Sequence, residues 1–258
     1  MSGFTDTHAH LAMLEHASLS EVLERARLSQ IEKMVTVSVD EKSWEANRNL
    51  AEALSHVWYS LGLHPHEAKD WLQCKPRFIQ AYGLAQKNKK CVALGEMGLD
   101  FFYNHSDKDV QIQCFEEQLV LAKQWNLPII IHCRDAFEDT YNILRKIGLG
   151  PRGGVMHCFT GNREQAKEAV DLGLMISFSG IVTFKTAHDL KDAAKSLDLS
   201  QMVIETDCPF LAPVPFRGKP NEPSFLPETA RVLAHLKGVP LEEIKEKTTE
   251  NASRLFSI

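Results

Sequence analysis

The segment VQIQCFEEQLVLAKQWNLPIIIHC, residues 110–133, contains a helical pattern followed directly by a strand pattern. Its first part repeats apolar residues at the spacing of one helix face. These residues are Val110, Cys114, Leu121 and Trp125. Its last part, residues 128–133, is a short apolar run rich in isoleucine, which is typical of a buried strand. A helix that leads directly into a buried strand belongs to a βαβ unit, in which the strands pair in parallel.

The same alternation runs along most of the chain. Eight short apolar or β-branched runs are predicted as strands, at 3–10, 34–39, 57–64, 91–98, 128–133, 154–158, 174–180 and 202–207. Helical patterns are predicted at roughly 19–31, 41–55, 75–88, 108–125, 136–147, 162–172, 187–197, 226–238 and 240–256. Eight such units predict an α/β fold, a TIM (β/α)8 barrel, with residues 1–258 as a single domain. No G-x-G-x-x-G motif follows a predicted strand, which argues against a dinucleotide-binding fold.

The composition is that of an ordinary globular protein and argues against several other classes. Hydrophobic residues make up 44% and charged residues 24% of the chain. The net charge of −5 argues against a protein that coats nucleic acid through a general positive field. The six cysteines form no C-x-x-C pair, which argues against a zinc ribbon or a thioredoxin-like centre. Because no signal-peptide pattern and no apolar run of membrane length is found, we expect a cytoplasmic protein with neither a membrane nor an obligate protein partner.

Residues of the types that bind metals stand at the C-terminal ends of the predicted strands. They are His8, His10, His64, His66, Glu96, His132, His157 and Asp207. In a parallel barrel these ends meet at one rim, where the active sites of this fold lie. A single histidine in such a position is more often a structural residue, but burying this many imidazoles and carboxylates together is unfavourable without compensating charge. The set therefore predicts a metal centre.

The number of ligands predicts two ions. A mononuclear catalytic zinc site uses three protein ligands, and even four of these imidazoles together with the two carboxylates exceed that number. Two ions that share a bridging carboxylate would account for the surplus, and Glu96, at the end of the fourth strand, is the predicted bridge. Mixed nitrogen and oxygen ligation suits Zn²⁺, Mn²⁺ or Fe²⁺ and, less well, Mg²⁺, so the identity of the metal stays open. A pair of divalent ions that activates a water molecule is typical of a hydrolase.

Ordered motifs along nearly the whole chain resemble the TatD-type metal-dependent deoxyribonucleases, in particular their YcfH-like branch. The motifs are DTHAHL (6–11), LGLHPH (61–66), GEMGLD (95–100), IHCRDA (131–136), HCFTG (157–161), SFSGIVTF (177–184) and ETDCPFLAPVPFRGKPNEP (205–223). The resemblance implies a TIM barrel that hydrolyses phosphodiester bonds in DNA with divalent metal, commonly as a 3′→5′ exonuclease.

The resemblance also implies roles for individual residues. One metal ion would be held by His8, His10, Glu96 and Asp207, and the other by Glu96, His132 and His157. Asp207 would also orient and deprotonate the attacking water, and Glu96 would bridge the two ions. Asp207 and Glu96 are therefore the predicted catalytic residues.

Three further residues are predicted at the substrate. His64 and Arg134 would lie near the scissile phosphate, although Arg134 could instead form a surface ion pair with Asp135 or Glu138. Glu205, two residues before Asp207, is grouped with them and would support the site from below.

Smaller features of the motifs are less definite. Cys208 stands where the family usually has serine, and Met97 stands where isoleucine or threonine is common and should point away from the ligands. Phe101, Phe102 and Tyr103 could stack on bases or pack under the rim. The pair Asn221 and Glu222 would close the long loop at 208–225 over the rim, or would only lock the loop structurally.

Three other functions compete with a deoxyribonuclease on the sequence. An amidohydrolase-type enzyme could use the same metals, but many of those bridge their ions with a lysine where this chain has Glu96. A centre that attacks phosphorus can also attack an acyl carbon, so removal of a D-amino acid from tRNA is an alternative, and DNA, RNA and tRNA all stay open as substrates. A non-catalytic metal-binding scaffold would be expected to lack at least one ligand, and all six are present.

Overall fold

A computed structural model describes residues 3–87, 89–103 and 105–258, and its centre is an eight-stranded parallel sheet. The strands pair in sequence order. They are β1 (Phe4–Ala9), β2 (Ile31–Thr36), β3 (Val57–Leu61), β4 (Cys91–Asp100), β5 (Ile129–Arg134), β6 (Gly154–Met156), β7 (Leu174–Phe178) and β8 (Met202–Ile204).

The sheet closes into a barrel where the last strand returns to the first. The hydroxyl of Thr7 donates to the Ile204 carbonyl at 2.9 Å. The backbone N–H of Asp207 donates to the His8 carbonyl, also at 2.9 Å. The TIM barrel predicted from the alternating pattern is confirmed.

Helices cover the outside of the barrel. Within the described residues they are α1 (Leu19–Leu28), α2 (Glu41–Ala53), α3 (Trp71–Ala85), α4 (Lys108–Trp125), α5 (Phe137–Ile147), α6 (Arg163–Asp171), α7 (His188–Ser196), α8 (Leu226–Lys237) and α9 (Leu241–Phe256). None of these helices has the length and apolar character needed to cross a membrane.

Helix α3 differs from its prediction at 75–88. It begins at Trp71 and holds Pro76 in its interior, because the buried Trp71 ring packs edge-on against Phe78 with ring centroids 5.2 Å apart and draws the first turn onto the core. Residue 88, the predicted end of this helix, lies outside the described residues.

Alternate residues of the strands line the barrel interior. Ile130 of β5, Val155 of β6 and Val203 of β8 belong to one buried cluster that also holds the end of α9, whereas their chain neighbours pack in a larger cluster beneath the helices. Side chains two positions apart on a strand share a face. The next inward positions are His132, His157 and Glu205. The strands therefore carry these three side chains to the upper rim of the interior.

An irregularity in β4 turns Glu96 towards the same interior. The pairing of β4 with β5 shifts register between Leu94 and Met97. Leu94 and Met97 are three residues apart, yet both pack in the larger cluster beneath the helices, which is called the outer cluster below. Met97 therefore points away from the barrel interior, as expected, and its neighbour Glu96 points into the interior. Gly98 permits the close approach of β5, because a Cβ at this position would lie 2.1 Å from the His132 carbonyl oxygen.

Six of the strands, β6 and β8 among them, end one to three residues earlier than predicted. β6 ends at Met156 and β8 at Ile204, two and three residues before the predicted ends. Cys158 and Asp207 have φ values of +43° and +57°, which lie in the left-handed region and cannot continue a strand. His157 and Asp207 therefore stand on the first residues of the rim loops.

Candidate metal centre

The first ligand group joins the start of the chain to the end of β8. The Nε2 atoms of His8 and His10 lie 3.3 Å apart. Asp207 Oδ1 lies 3.3 Å from the Nε2 of His10 and 3.8 Å from that of His8. The three donor atoms lie within 4.8 Å of one another, which is close enough for one ion.

Glu96 lies between this group and a second one. Its Oε2 is 3.2 Å from His8 Nε2, on the side of the first group. Its Oε1 is 2.9 Å from His132 Nδ1 and 3.2 Å from His157 Nε2. Glu96 therefore directs one oxygen to each group, which is the arrangement that a bridging ligand requires.

The tautomers of the imidazoles fit a cation at this position. His10 Nδ1 lies 3.2 Å from the Val37 carbonyl oxygen. Because a carbonyl oxygen only accepts, Nδ1 carries the proton, and in the neutral ring His10 Nε2 presents a lone pair to the centre. His157 Nδ1 donates to the Glu205 carboxylate at 2.9 Å, so in the neutral ring the Nε2 of His157 also presents a lone pair to the centre. In the neutral rings these lone pairs would face the carboxylate oxygens of Glu96 and Asp207. The same carboxylates raise the pKa of His10 and of His157, so the geometry favours a positive charge between ring and carboxylate, either a proton or a metal ion.

Burial and charge act in opposite directions on the two carboxylates. Burial alone would raise the pKa of Glu96 and of Asp207. The neighbouring imidazoles outweigh burial, and the pKa of Glu96 falls well below its usual value while that of Asp207 falls as well. Both side chains are therefore carboxylates at neutral pH, the form that binds divalent ions.

Asp100, which ends β4, holds His132 from behind and was not assigned from the sequence. Its Oδ2 accepts from His132 Nε2 at 3.0 Å and from His66 Nε2 at 3.1 Å, while Oδ1 accepts from the backbone N–H of Tyr103 at 2.9 Å. Burial would raise the pKa of Asp100, but these donors hold it well below its usual value. The available signal was an acidic residue at a strand end, four positions after Glu96 in GEMGLD.

Glu205 lies behind His157 in the same way. It is 1% exposed, its Oε1 also accepts from the backbone N–H of Cys158 at 2.7 Å, and its Oε2 accepts from Ser177 Oγ at 2.5 Å. The residues that line the cavity above the centre do not include Glu205. This placement fits the expected support from below and not a direct contact with substrate.

His64 is placed as a hydrogen-bond donor. Its Nδ1 accepts from the backbone N–H of His66 at 3.2 Å, so in the neutral ring Nε2 carries the proton. Burial lowers the pKa of His64 to about 4, which keeps the ring neutral at pH 7. Its Nε2 lies 3.5 Å from Glu96 Oε1 at the floor of the cavity. An N–H at this point can reach a substrate oxygen.

The centre opens into a cavity of about 790 Å³ at the C-terminal rim of the barrel. Arg134, Tyr103 and Phe210 line it. The Arg134 guanidinium lies 3.9 Å from the ring centroid of Phe102 and 4.8 Å from that of Tyr103. Across the described ranges Arg134 forms no ion pair with a neighbouring carboxylate, so its charge is available to an anionic ligand.

The remaining rim features are placed as follows. Phe102 and Tyr103 are 54% and 41% exposed, so they do not pack fully under the rim. Cys208 is fully buried in the outer cluster and does not line the cavity.

Comparison with known proteins identifies the family. The family model described as TatD related DNase matches residues 5–257. The chain belongs to this family. Among its relatives, the uncharacterized metal-dependent hydrolase YcfH of Escherichia coli K12 is 39% identical over 257 residues, which cover 98% of this chain and 95% of YcfH. The 3′-5′ ssDNA/RNA exonuclease TatD of Rahnella sp. Y9602 is 34% identical over 244 residues, 92% of each chain.

A solved structure agrees with the sequence matches. The crystal structure of YJJV, a TatD homologue from Escherichia coli K12, superposes with a TM-score of 0.92 at 31% identity and covers 99% of this chain and 98% of its own. The predicted resemblance to the TatD family and its YcfH-like branch is thus confirmed. This TatD-family chain is a metal-dependent hydrolase, and its clustered histidines and carboxylates form groups that could hold a divalent metal ion.

Proposed function

We propose that this TatD-family chain hydrolyses phosphodiester bonds in DNA and removes nucleotides from the 3′ end. The observation that carries the proposal is Glu96, whose two oxygens face two separate groups of imidazoles at the floor of an open cavity. Two divalent ions that share a carboxylate are typical of enzymes that displace an alcohol from phosphorus. The name of the Rahnella relative supports both the nucleic-acid substrate and the direction of attack.

In this proposal the ligands divide into two sets around Glu96. His8, His10, Glu96 and Asp207 hold one ion, and Glu96, His132 and His157 hold the other. When bound, the ions supply the positive charge that acidifies a water molecule and neutralises the phosphate. Asp207, at the cavity surface, accepts the proton of the attacking water.

The substrate contacts in this proposal follow from charge and proton placement. The Arg134 guanidinium, held over the Phe102 ring, pairs with a phosphate oxygen, and the Nε2–H of His64 donates to another. Tyr103 and Phe210 offer exposed rings at the cavity on which bases stack. We also propose that residues 1–258 form a single domain, since α9 packs against both β1 and β8.

The proposal is tested with metal-free protein to which Mn²⁺, Mg²⁺ or Zn²⁺ is added singly. The substrates are DNA strands labelled at the 3′ or the 5′ end and a D-aminoacyl-tRNA. We expect metal-dependent release of mononucleotides from the 3′ end. Asp207→Asn should abolish turnover and keep the fold, because the water loses its base, whereas Asp192→Asn, the same change on an exposed helix, should leave the rate unchanged. Cleavage of the aminoacyl ester with no cleavage of either DNA strand would overturn the proposal.

A further inference from the structure

The loop that follows β8 leaves the barrel in an unusual backbone conformation. Asp207 and Leu211 both have φ of +57°. Asp tolerates the left-handed region, but a leucine there is strained and persists only when surrounding contacts hold it. The conformation of residues 207–211 therefore depends on contacts from elsewhere in the structure.

The side-chain amide of Asn221 supplies these contacts. Its Nδ2 donates to the carbonyls of Thr206 at 2.7 Å and Phe210 at 2.6 Å, the residues that precede Asp207 and Leu211. The backbone N–H of Asn221 donates to a third carbonyl of the turn, that of Pro209, at 3.0 Å. One fully buried side chain thus ties the end of the loop to both left-handed positions at its start.

The next residue anchors Asn221 to the helical layer. Arg25 of α1 binds the Glu222 carboxylate through two nitrogens, with Nε 2.8 Å from Oε1 and Nη2 2.6 Å from Oε2. His16 Nε2 lies 3.1 Å from the same Oε2. Because Arg25 and His16 both hold the Glu222 carboxylate, the backbone of the neighbouring Asn221 is restrained from following a shift of the turn.

The other side of the same turn is held by β1. Asp6 accepts hydrogen bonds from the backbone N–H and the hydroxyl of Thr206 at 2.9 and 2.6 Å. The peptide that leads into Asp207 is thus fixed from β1 on one side and by Asn221 on the other. Asn221 and Asp6 are both 0% exposed, so the two contacts are shielded from solvent.

We propose that Asn221 is a positioning residue that orients the Asp207 carboxylate towards His8 and His10 and so sets the affinity for the ion between them. The inference rests on the proposed function, in which Asp207 is a ligand. Asn221 itself touches neither ion nor substrate. Its effect passes through the backbone of Thr206 and Phe210.

Asn251 offers a matched control for the test. It is 2% exposed and its Nδ2 also donates to two carbonyls, those of Leu199 at 2.7 Å and Met202 at 2.8 Å, at the opposite end of β8. Alanine at Asn221 and alanine at Asn251 each remove a buried amide with two carbonyl partners. A purely structural role predicts the same consequences for both.

The experiment is a calorimetric titration of the metal-free full-length protein with Mn²⁺. We expect Asn221→Ala to lower the affinity for one Mn²⁺ ion by about 10- to 100-fold. This should be the same ion whose affinity Asp207→Ala lowers, and the affinity for the other ion should not change. Asn251→Ala should bind both ions as the unmodified protein does. If Asn221→Ala does not fold, Asn221→Leu keeps a similar shape without a donor or a charge and should show the same selective loss.

Two results would overturn the inference. The first is unchanged Mn²⁺ affinity in the folded Asn221 variant, and the second is an equal loss in the Asn221 and Asn251 variants. Failure of the assignment of Asp207 as a ligand is distinguishable, because then Asp207→Ala itself would leave Mn²⁺ binding intact. Failure of the proposed DNA hydrolysis is distinguishable as well, because it changes the nuclease assay and not the Mn²⁺ titrations.

Discussion

Neutralising Glu222 should destabilise the protein in a pH-dependent way. Burial by itself would raise the pKa of Glu222, but hydrogen bonds from Arg25, Ser224 and His16 lower it from 4.5 to about 2. Each unit between the two pKa values corresponds to about 1.4 kcal/mol of folding free energy, so the full difference corresponds to about 3 kcal/mol. Arg25 is 41% exposed, and solvent screening reduces the expected contribution to about 1–2 kcal/mol.

The sign follows from the lowered pKa. The folded state keeps Glu222 ionised where the unfolded state has begun to bind the proton, so the stabilisation is fully present above pH of about 4.5 and declines as the pH falls towards 2. The free energy of unfolding of the metal-free protein is measured in urea at pH 7 and pH 3. Glu222→Gln should lower it by about 1–2 kcal/mol at pH 7 and by less than half as much at pH 3.

An exposed ion pair provides the control for this measurement. Glu24 binds Arg27 on the surface of α1, where both side chains are more than half exposed. Glu24→Gln should change the free energy of unfolding little at either pH. A Glu222→Gln difference that stays constant between pH 7 and pH 3, or that equals the Glu24→Gln difference, would refute the reasoning.

Two further substitutions test the support of the centre. Asp100→Asn would present an amide N–H to His132 Nε2 and so move the ring proton to Nδ1. We expect Mn²⁺ binding, measured by calorimetry, to become about 10- to 100-fold weaker. Unchanged Mn²⁺ affinity would contradict this. Gly98→Ala would place a Cβ 2.1 Å from the His132 carbonyl oxygen at φ +140° and should destabilise the protein by about 3 kcal/mol or more in urea unfolding. Gly83→Ala, on α3 with no atom within 4 Å, should instead stabilise by up to about 1 kcal/mol, and equal effects of the two substitutions would refute the steric argument.

The barrel and much of the candidate site were predictable from local patterns. Strand and helix periods depend on the backbone alone, so the alternation of short apolar runs with helical faces predicts parallel pairing and a common rim. His132 and His157 follow from the same rule, because each lies two residues after an inward-facing apolar residue of its strand. The metal-binding residue types at these positions needed no tertiary information to be noticed.

Other features depended on contacts between distant parts of the chain. Strict alternation from Leu94 would turn Glu96 outward, and its inward direction comes from the irregular pairing of β4 with β5. Asp100, 32 residues away, keeps a proton on His132 Nε2, because a carboxylate only accepts, and Nδ1 is the ring nitrogen that faces Glu96 Oε1 and would bind a cation. Local sequence sets the period of a segment and the chemistry it carries, whereas the direction of a side chain and the position of its proton depend on neighbours that only folding brings into contact.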